Sequence, residues 1–362
     1  MSKNLKIAFV CPSFYPYIGG VETVVLQLAQ NMASKGLDIT VLTQTDNKNL
    51  AREERLDNFT IRRFNKVGFS ELKISIELLR YMQKNSGNYD LIHVQNYHAF
   101  PALCVALTKK SPIIFSPHYH GAGRTFLTNL LHYPYRYIGK FILSQSDAII
   151  CDSVAEAQLI EEHFPNIKEI NIIPLGIDVE GVQKASKQKR IQQYILSVGR
   201  LENYKHVELI VRSLRFIDNK INLKIVGDGS ELQRLKDIVV EFNIINRVYF
   251  LNNLSNEDLF RLIKNAEAYI TMSSMEAYGL SLLEAVAAKI GIVASDISAH
   301  RALVKKFKIN NIILADLNTS SKNLADNITI AMRNPSYAKK ALPSWKQATA
   351  QTLQVYKKIL RK

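Results

Sequence analysis

The feature that most restricts how this chain folds is a rhythm along its 362 residues. A short apolar run is followed by a stretch with apolar residues at helical spacing, and then by another short apolar run. Residues 6–12 read as a buried strand closing in a turn. Residues 21–35 place Val24, Val25, Leu28 and Met32 on one helical face before Gly36, and residues 38–43 read as the next strand. The unit recurs with strands at 91–95, 113–116 and 148–151 and a helix at 99–109. Such alternation predicts a parallel sheet with helices on both faces. Residues 174–190, with Gly176, Gly181 and a polar run, read as a linker. The rhythm then restarts, with strands at 194–198, 223–226, 247–251, 268–271 and 291–294. The expected fold class is α/β, as two Rossmann-like, doubly wound domains of about 1–175 and 190–343. The carboxyl ends of the two sheets would face a central cleft, where open α/β sheets bind their ligands.

The net charge of +15 at first suggests nucleic acid or an acidic surface as partner. Its distribution narrows that. Residues 1–180 hold 18 Lys and Arg against 17 Asp and Glu, and residues 181–362 hold 29 against 15. No acid follows Asp326, while Arg333, Lys339, Lys340, Lys346, Lys357, Lys358, Arg361 and Lys362 do. A basic C-terminal region suits a solvated helix or peripheral contact with an anionic membrane. The basic residues are not interleaved with stacking aromatics, so no nucleic-acid partner is expected. Cys11, Cys104 and Cys151 are too few and too scattered for a disulfide framework or a four-ligand zinc site, and are expected as reduced, half-buried thiols. The apolar run near Met1 is shorter than a signal-peptide core, and no stretch approaches the roughly 18 apolar residues of a spanning helix. The expected location is cytoplasmic, with peripheral association on the inner face of the membrane as an extension.

Four short segments carry the chemistry. Gly19-Gly20-Val21-Glu22 stands between the first strand and the first helix, where glycines allow close backbone approach to a phosphate or sugar. It is neither the G-x-G-x-x-G fingerprint nor a P-loop, and Glu22 suits the helix dipole. Ser116-Pro117-His118-Tyr119-His120-Gly121 follows a strand and offers His118 to a sugar hydroxyl or phosphate. His118-x-His120 alone makes a poor metal pair, because no Cys or carboxylate cluster nearby completes it. Ser197-Val198-Gly199-Arg200 with Lys205 combines a planar guanidinium and a point charge, a pair suited to a diphosphate. No D-x-D pair exists in the chain to hold a divalent cation, so these two cations would have to steady a departing diphosphate themselves. In the segment from Glu276 to Glu284, Gly279 permits a tight turn that leaves the amides of Leu280 and Ser281 free at the start of a helix over 282–288. The two carboxylates suit vicinal hydroxyls, one on a ribose and one on a sugar ring.

Taken in order, Gly19-Gly20-Val21-Glu22, His118, Ile172-Ile173-Pro174-Leu175-Gly176-Ile177-Asp178, Val198-Gly199-Arg200 with Lys205, and the E-x7-E of Glu276 and Glu284 resemble the retaining glycosyltransferases of family 4, with the GT-B fold. The resemblance spans nearly the whole chain. It implies transfer of a hexose-type sugar from a nucleotide diphosphate sugar to a glycan or lipid-linked acceptor. It further implies that Gly19 and Gly20 line the diphosphate, His118 lies near the transferred sugar, and Arg200 and Lys205 bind the diphosphate. Glu276 would contact the donor sugar and Glu284 the ribose, and no metal or other cofactor would be needed. A last helix, at about 344–362 and carrying Trp345 and Tyr356, would cross back onto the first domain. The chain departs from the family where Lys289 and Gly291 stand in place of its usual Gly and Pro, and where 310–314 shorten a glycine-rich segment. A nucleotide-sugar epimerase of the same fold and a catalytically silent nucleotide-sugar-binding subunit are the alternatives. For acceptor contact, residues 124–144 are amphipathic enough to touch a lipid, and core packing is the competing role.

Overall fold

The computed structural model describes residues 5–361 except 18, 69–72, 98, 120–125, 166, 168, 188–191 and 277, with backbone alone for 126–134. His120, Gly121 and Arg124 therefore lie outside the described residues, as do the side chains of Phe126, Leu127, Leu130 and Leu131. The chain divides into two compact units, Met1–Leu175 with Trp345–Lys362, and Gly176–Ser344.

In the first unit the elements run β1 (Lys6–Cys11), α1 (Gly20–Ala33), β2 (Asp38–Thr45), β3 (Glu53–Leu56), β4 (Phe59–Asn65), α2 (Ile76–Asn85), β5 (Leu91–Gln95), α3 (Phe100–Leu107), β6 (Ile113–Ser116), α4 (Phe126–Ser144), β7 (Ala148–Cys151), α5 (Val154–His163) and β8 (Ile170–Ile172). The sheet order is β3-β4-β2-β1-β5-β6-β7-β8. Every neighbouring pair is parallel except β3 with β4. Strand order reverses at β1, between β2 and β5, which makes a crevice at the carboxyl ends of β1 and β5. β5, β6 and β7 are buried at every position, because helices cover both faces of a parallel sheet. All three cysteines are fully buried rather than half-buried, and burial pushes each thiol up. The β3–β4 hairpin escapes a hydropathy reading because β3 is Glu-Glu-Arg-Leu, an exposed edge held by cross-strand charge.

In the second unit the elements run α6 (Val179–Lys184), β9 (Gln193–Val198), α7 (Val207–Ser213), β10 (Ile221–Val226), α8 (Leu232–Glu241), β11 (Val248–Leu251), α9 (Asn256–Asn265), β12 (Ala268–Thr271), α10 (Leu280–Ala288), β13 (Gly291–Ser295), α11 (Ser298–Phe307), β14 (Ile309–Asn310), β15 (Ile312–Ala315), α12 (Ser321–Arg333) and β16 (Tyr337–Ala338). The main sheet is parallel, in the order β11-β10-β9-β12-β13-β15, and reverses between β9 and β12. From Gly176 on, the described part of the expected linker belongs to this unit, and Val179–Lys184 forms a helix. Asp178 caps α6 by accepting from the Gly181 N–H at 2.9 Å, Val182 is buried, and the helix packs on α9 and α10. Six residues are too few for a helical period to show against a polar composition. Lys289 ends α10 in the left-handed region at φ 56, a conformation glycine adopts more cheaply.

The last helix, α13 (Trp345–Ile359), belongs with the first unit and packs on α1. Trp345, Thr349, Thr352, Tyr356 and Ile359 fall on its buried face at helical spacing.

Candidate functional site

In the second unit, the loops after β9 and β12 meet. The Ser274 N–H donates to the Tyr204 carbonyl at 2.8 Å, which ties the segment carrying Arg200 and Lys205 to the segment carrying Glu276. Across that join Lys205 Nζ donates to Glu276 Oε1 at 2.6 Å, with the two side chains 15% and 17% exposed. The two groups assigned separately to diphosphate and sugar are therefore each other's partner here, and a diphosphate would compete with Glu276 for the ammonium. Arg200 is exposed, and among the described residues its one tether is the bond that its Nη2 donates to the Tyr204 hydroxyl at 3.1 Å.

Three residues beyond Glu276, Gly279 adopts φ +88 and ψ 52 as it enters α10, and no side chain caps the helix. A non-glycine residue would be strained there. The amides of Leu280 and Ser281 thus keep no intrahelical acceptor, and the positive end of the helix dipole stands beside the Lys205–Glu276 pair. Tyr269, buried on β12, lies within reach of the charges of both acids. Its phenol is pushed up first by burial and then by the charges of Glu276 and Glu284. Beneath the turn, His300 is fully buried, with its Nδ1 2.8 Å from the Ser295 carbonyl. Burial lowers its pKa, Glu276 opposes that, and Lys205 reinforces it.

Glu284 stands within α10, and no hydrogen bond or ion pair among the described residues reaches its carboxylate. Burial, followed by the charge of Asp178, pushes it up to about 8. That lies above the ordinary carboxylate range, so the protonated form suits the fold, and ionisation costs stability as pH rises from 4.5 through about 8. Glu284→Gln should match the wild type near pH 5 and exceed it by about 2 kcal/mol above pH 8. Urea denaturation at both pH values measures this; equal midpoints at high pH would remove the burial account.

In the first unit, the N-terminus of α1 also lacks a side-chain cap. Gly20 faces open space, whereas Gly19 makes room for the Glu22 carboxylate, which accepts from the Ser13 hydroxyl. His118 follows β6 in the left-handed region at φ 49 and is nearly buried. Its Nδ1 lies 2.7 Å from Asp152 Oδ2 and its Nε2 lies 2.8 Å from Gln95 Oε1. Both ring nitrogens are therefore engaged inside the protein, rather than free to meet a sugar hydroxyl as the strand-end reading expected. Burial pulls its pKa down, but Asp152, Glu156 and Glu22 outweigh that and raise it.

Sequence reading missed Asp152, Gln95, Tyr269 and the Gly227-Asp228-Gly229 turn. The last had a legible signal, two glycines bracketing an acid at a strand end. The others are ordinary polar residues on strands or loops and become visible only through their neighbours. Among the described residues no three His, Cys, Asp or Glu side chains gather closely enough to hold a metal.

Two family models match the chain: Glycosyltransferase Family 4 over residues 18–180 and Glycosyl transferases group 1 over residues 180–349. A glycosyltransferase of Methanocaldococcus jannaschii is 27% identical over 333 residues, covering 81% of each chain. The alpha-monoglucosyldiacylglycerol synthase of Streptococcus pneumoniae is 23% identical, over 80% of this chain and 71% of its own length. Among solved structures, sucrose-phosphate synthase from Thermosynechococcus elongatus superposes with TM-score 0.75 at 18% identity, covering 98% of this chain and 99% of that one. Anabaena HepE in complex with UDP and glucose superposes with TM-score 0.72 at 16% identity, covering 99% of this chain and all of that one. These superpositions carry the fold.

Proposed function

The chain is a glycosyltransferase of the group 1 and family 4 type, its two halves matching those models in turn over residues 18–349, and from that premise we propose that it moves a hexose-type sugar from a nucleotide diphosphate sugar to an acceptor hydroxyl with retention of configuration. The observation that carries the proposal is the Lys205–Glu276 pair beside the uncapped start of α10. A diphosphate there would meet an ammonium, the Arg200 guanidinium and free helix amides, which together stabilise the charge that develops as it leaves.

In the proposed step the bond between the anomeric carbon and the β-phosphate oxygen breaks, and the acceptor oxygen bonds the same face of that carbon. The acceptor proton passes to the departing phosphate oxygen, so no protein nucleophile takes part. Lys205 released from Glu276 would follow the phosphate, and Glu276 would then be free to accept from sugar hydroxyls. Glu284, without a partner of its own, would take the ribose diol. With no D-x-D pair in the chain, the charge is balanced by protein groups alone.

The test is a thermal-shift panel of uridine, guanosine and adenosine diphosphate sugars in the presence of a chelator, followed by product analysis with the donor that binds. A stabilised chain and a retained anomer are expected. Binding that appears only with added magnesium or manganese would overturn the metal-free scheme, and conversion of the sugar without an acceptor would identify an epimerase.

Membrane contact extends this reading. No described helix is long and apolar enough to cross a membrane. The described turn of α4 buries Ile142 and Leu143 yet exposes Tyr137 at 81%, and Ile138 and Phe141 at 40% each. Beside that strip stands exposed Lys140, a pattern suited to shallow insertion among anionic headgroups near a lipid-linked acceptor. Replacing Tyr137 and Phe141 by Glu should lower recovery with anionic liposomes in flotation by about fivefold. Unchanged recovery would end the membrane proposal and leave the transfer proposal intact.

A further inference from the structure

The pairing of β12 with β13 runs as far as Thr271 and Ala294. Beyond it the two segments stay joined through side chains. The Ser295 hydroxyl donates to the Ser273 carbonyl, and the Ser273 hydroxyl donates to the Met275 carbonyl at 2.7 Å. On the exposed side, the Ser274 N–H and hydroxyl both donate to the Tyr204 carbonyl, at 2.8 and 3.2 Å. Residues 273–275, which lead into Glu276, are therefore held from inside by the end of β13 and from outside by the loop that carries Lys205. His300 on α11 completes the inner hold. Its Nδ1 lies 2.8 Å from the Ser295 carbonyl and 3.3 Å from the Ser295 hydroxyl oxygen. Ser273, Ser295 and His300 are all fully buried, so water replaces none of these bonds.

Each direction is fixed by an atom that can only accept. A backbone carbonyl has no proton to give, so His300 Nδ1 carries one and the Ser295 hydroxyl points its own at Ser273. The opposite tautomer would set the Nδ1 lone pair against the Ser295 carbonyl oxygen and give one hydroxyl proton two acceptors to serve. His300 Nε2 is thus the unprotonated nitrogen, and no hydrogen bond reaches it. The ring borders the Gly279 turn, with Cδ2 3.9 Å from the place a Cβ would take there. A proton on Nε2 would add a second cation near Lys205 and the positive end of α10, so the ring stays neutral.

We propose that Ser295 and His300 are positioning residues of the second unit, which hold residues 273–275 so that the Glu276 carboxylate stands where it meets the Lys205 ammonium. What that pair does in sugar transfer rests on the reading above; its dependence on the buried hydroxyl and ring does not. Without the Ser295 hydroxyl the Ser273 carbonyl loses this donor, the inner hold fails, and Glu276 drifts from Lys205. A loosened Glu276 serves the sugar poorly but competes less for the ammonium, so a bare diphosphate should bind at least as tightly.

The experiment compares Ser295→Ala, His300→Asn and His300→Leu in the full chain. Asparagine places an N–H where Nδ1 stands and nothing at Nε2, whereas leucine offers neither. In Ser295→Ala and His300→Leu, kcat should fall about 10- to 100-fold while the calorimetric Kd of the donor's nucleoside diphosphate stays unchanged or drops, and His300→Asn should stay within about threefold of the unaltered chain. Independently of turnover, the urea midpoints of Lys205→Met, Glu276→Gln and their double should be non-additive in the unaltered background and additive once Ser295→Ala is present. Nitrogen-15 histidine spectra, assigned by signal loss in His300→Asn, should show a proton on His300 Nδ1 and none on Nε2. A proton on Nε2, a coupling that survives Ser295→Ala, an affinity that falls in step with kcat, or a His300→Asn chain as slow as His300→Leu overturns the proposal. If Ser295→Ala does not fold, the tautomer and the two His300 variants, read through the same coupling, still decide. A coupling that vanishes with Ser295→Ala in a chain that transfers no sugar removes the transfer reading and leaves this inference standing.

Discussion

Lys205→Ala is expected to lower kcat/KM for sugar transfer by about 100- to 1000-fold, the loss typical of deleting one preorganised stabiliser of a leaving group's charge. Lys205 is a strong candidate because its position is determined from two sides, by the loop after β9 that carries it and by the 2.6 Å bond to Glu276 that holds its ammonium beside α10. To follow the phosphate the ammonium must leave Glu276, so the effect read is its gain at the leaving group over that pairing. Arg200→Ala should cost less, because among the described residues Tyr204 alone restrains its exposed guanidinium, which must be ordered when the diphosphate arrives. Glu276→Ala removes the proposed sugar acceptor and also leaves a largely buried ammonium without its counter-charge, so the Lys205 and Glu276 single losses should not add. Initial rates of nucleotide release with donor and acceptor, for both single variants and the double, measure the coupling. A Lys205→Ala enzyme within about threefold of wild type would exclude the ammonium from the leaving-group site.

Gly227→Ala is expected to destabilise the second unit by about 3 kcal/mol or more and to abolish nucleotide binding in whatever fraction still folds. The cause is steric. Gly227 adopts φ +143, and a Cβ there would overlap the carbonyl oxygen of Gly199. The loops after β9 and β10 are stitched backbone to backbone at this place. Gly199 N–H donates to the Val226 carbonyl at 2.9 Å, Leu201 N–H to Asp228 at 2.8 Å, and Glu231 N–H to Leu201 at 2.9 Å. No flexible side chain is available to yield, so the added methyl must displace the peptide that leads into Arg200. Urea denaturation and calorimetric titration with a nucleoside diphosphate would report the two effects. An alanine variant of unchanged midpoint and affinity would show that the loops are looser than this packing implies.

How much was legible in the sequence follows a physical division. Parallel strands covered on both faces must be nearly continuous apolar runs, so β1, β5, β6, β7, β9 and β12 stand out one after another, and the helices between them show their period. Edge elements obey weaker constraints. β3 is charged because one of its sides meets solvent, and α6 hides a single buried valine in a polar hexamer. Among site residues, those at strand-to-helix turns announced themselves, since Gly19, Gly20 and Gly279 mark places where backbone must start a helix without side-chain capping.

The sequence by itself determined two α/β units of parallel strands and the chemical character of the turns that end them, because periodicity and glycine placement are local properties. Only the tertiary structure decided which charges neutralise each other. Lys205 meets Glu276 from 71 positions away, and Tyr356 reaches His93 across 263. The protonation of a buried histidine depends on donors and acceptors brought within 3 Å by the whole fold, and nothing in the local order of residues carries that information.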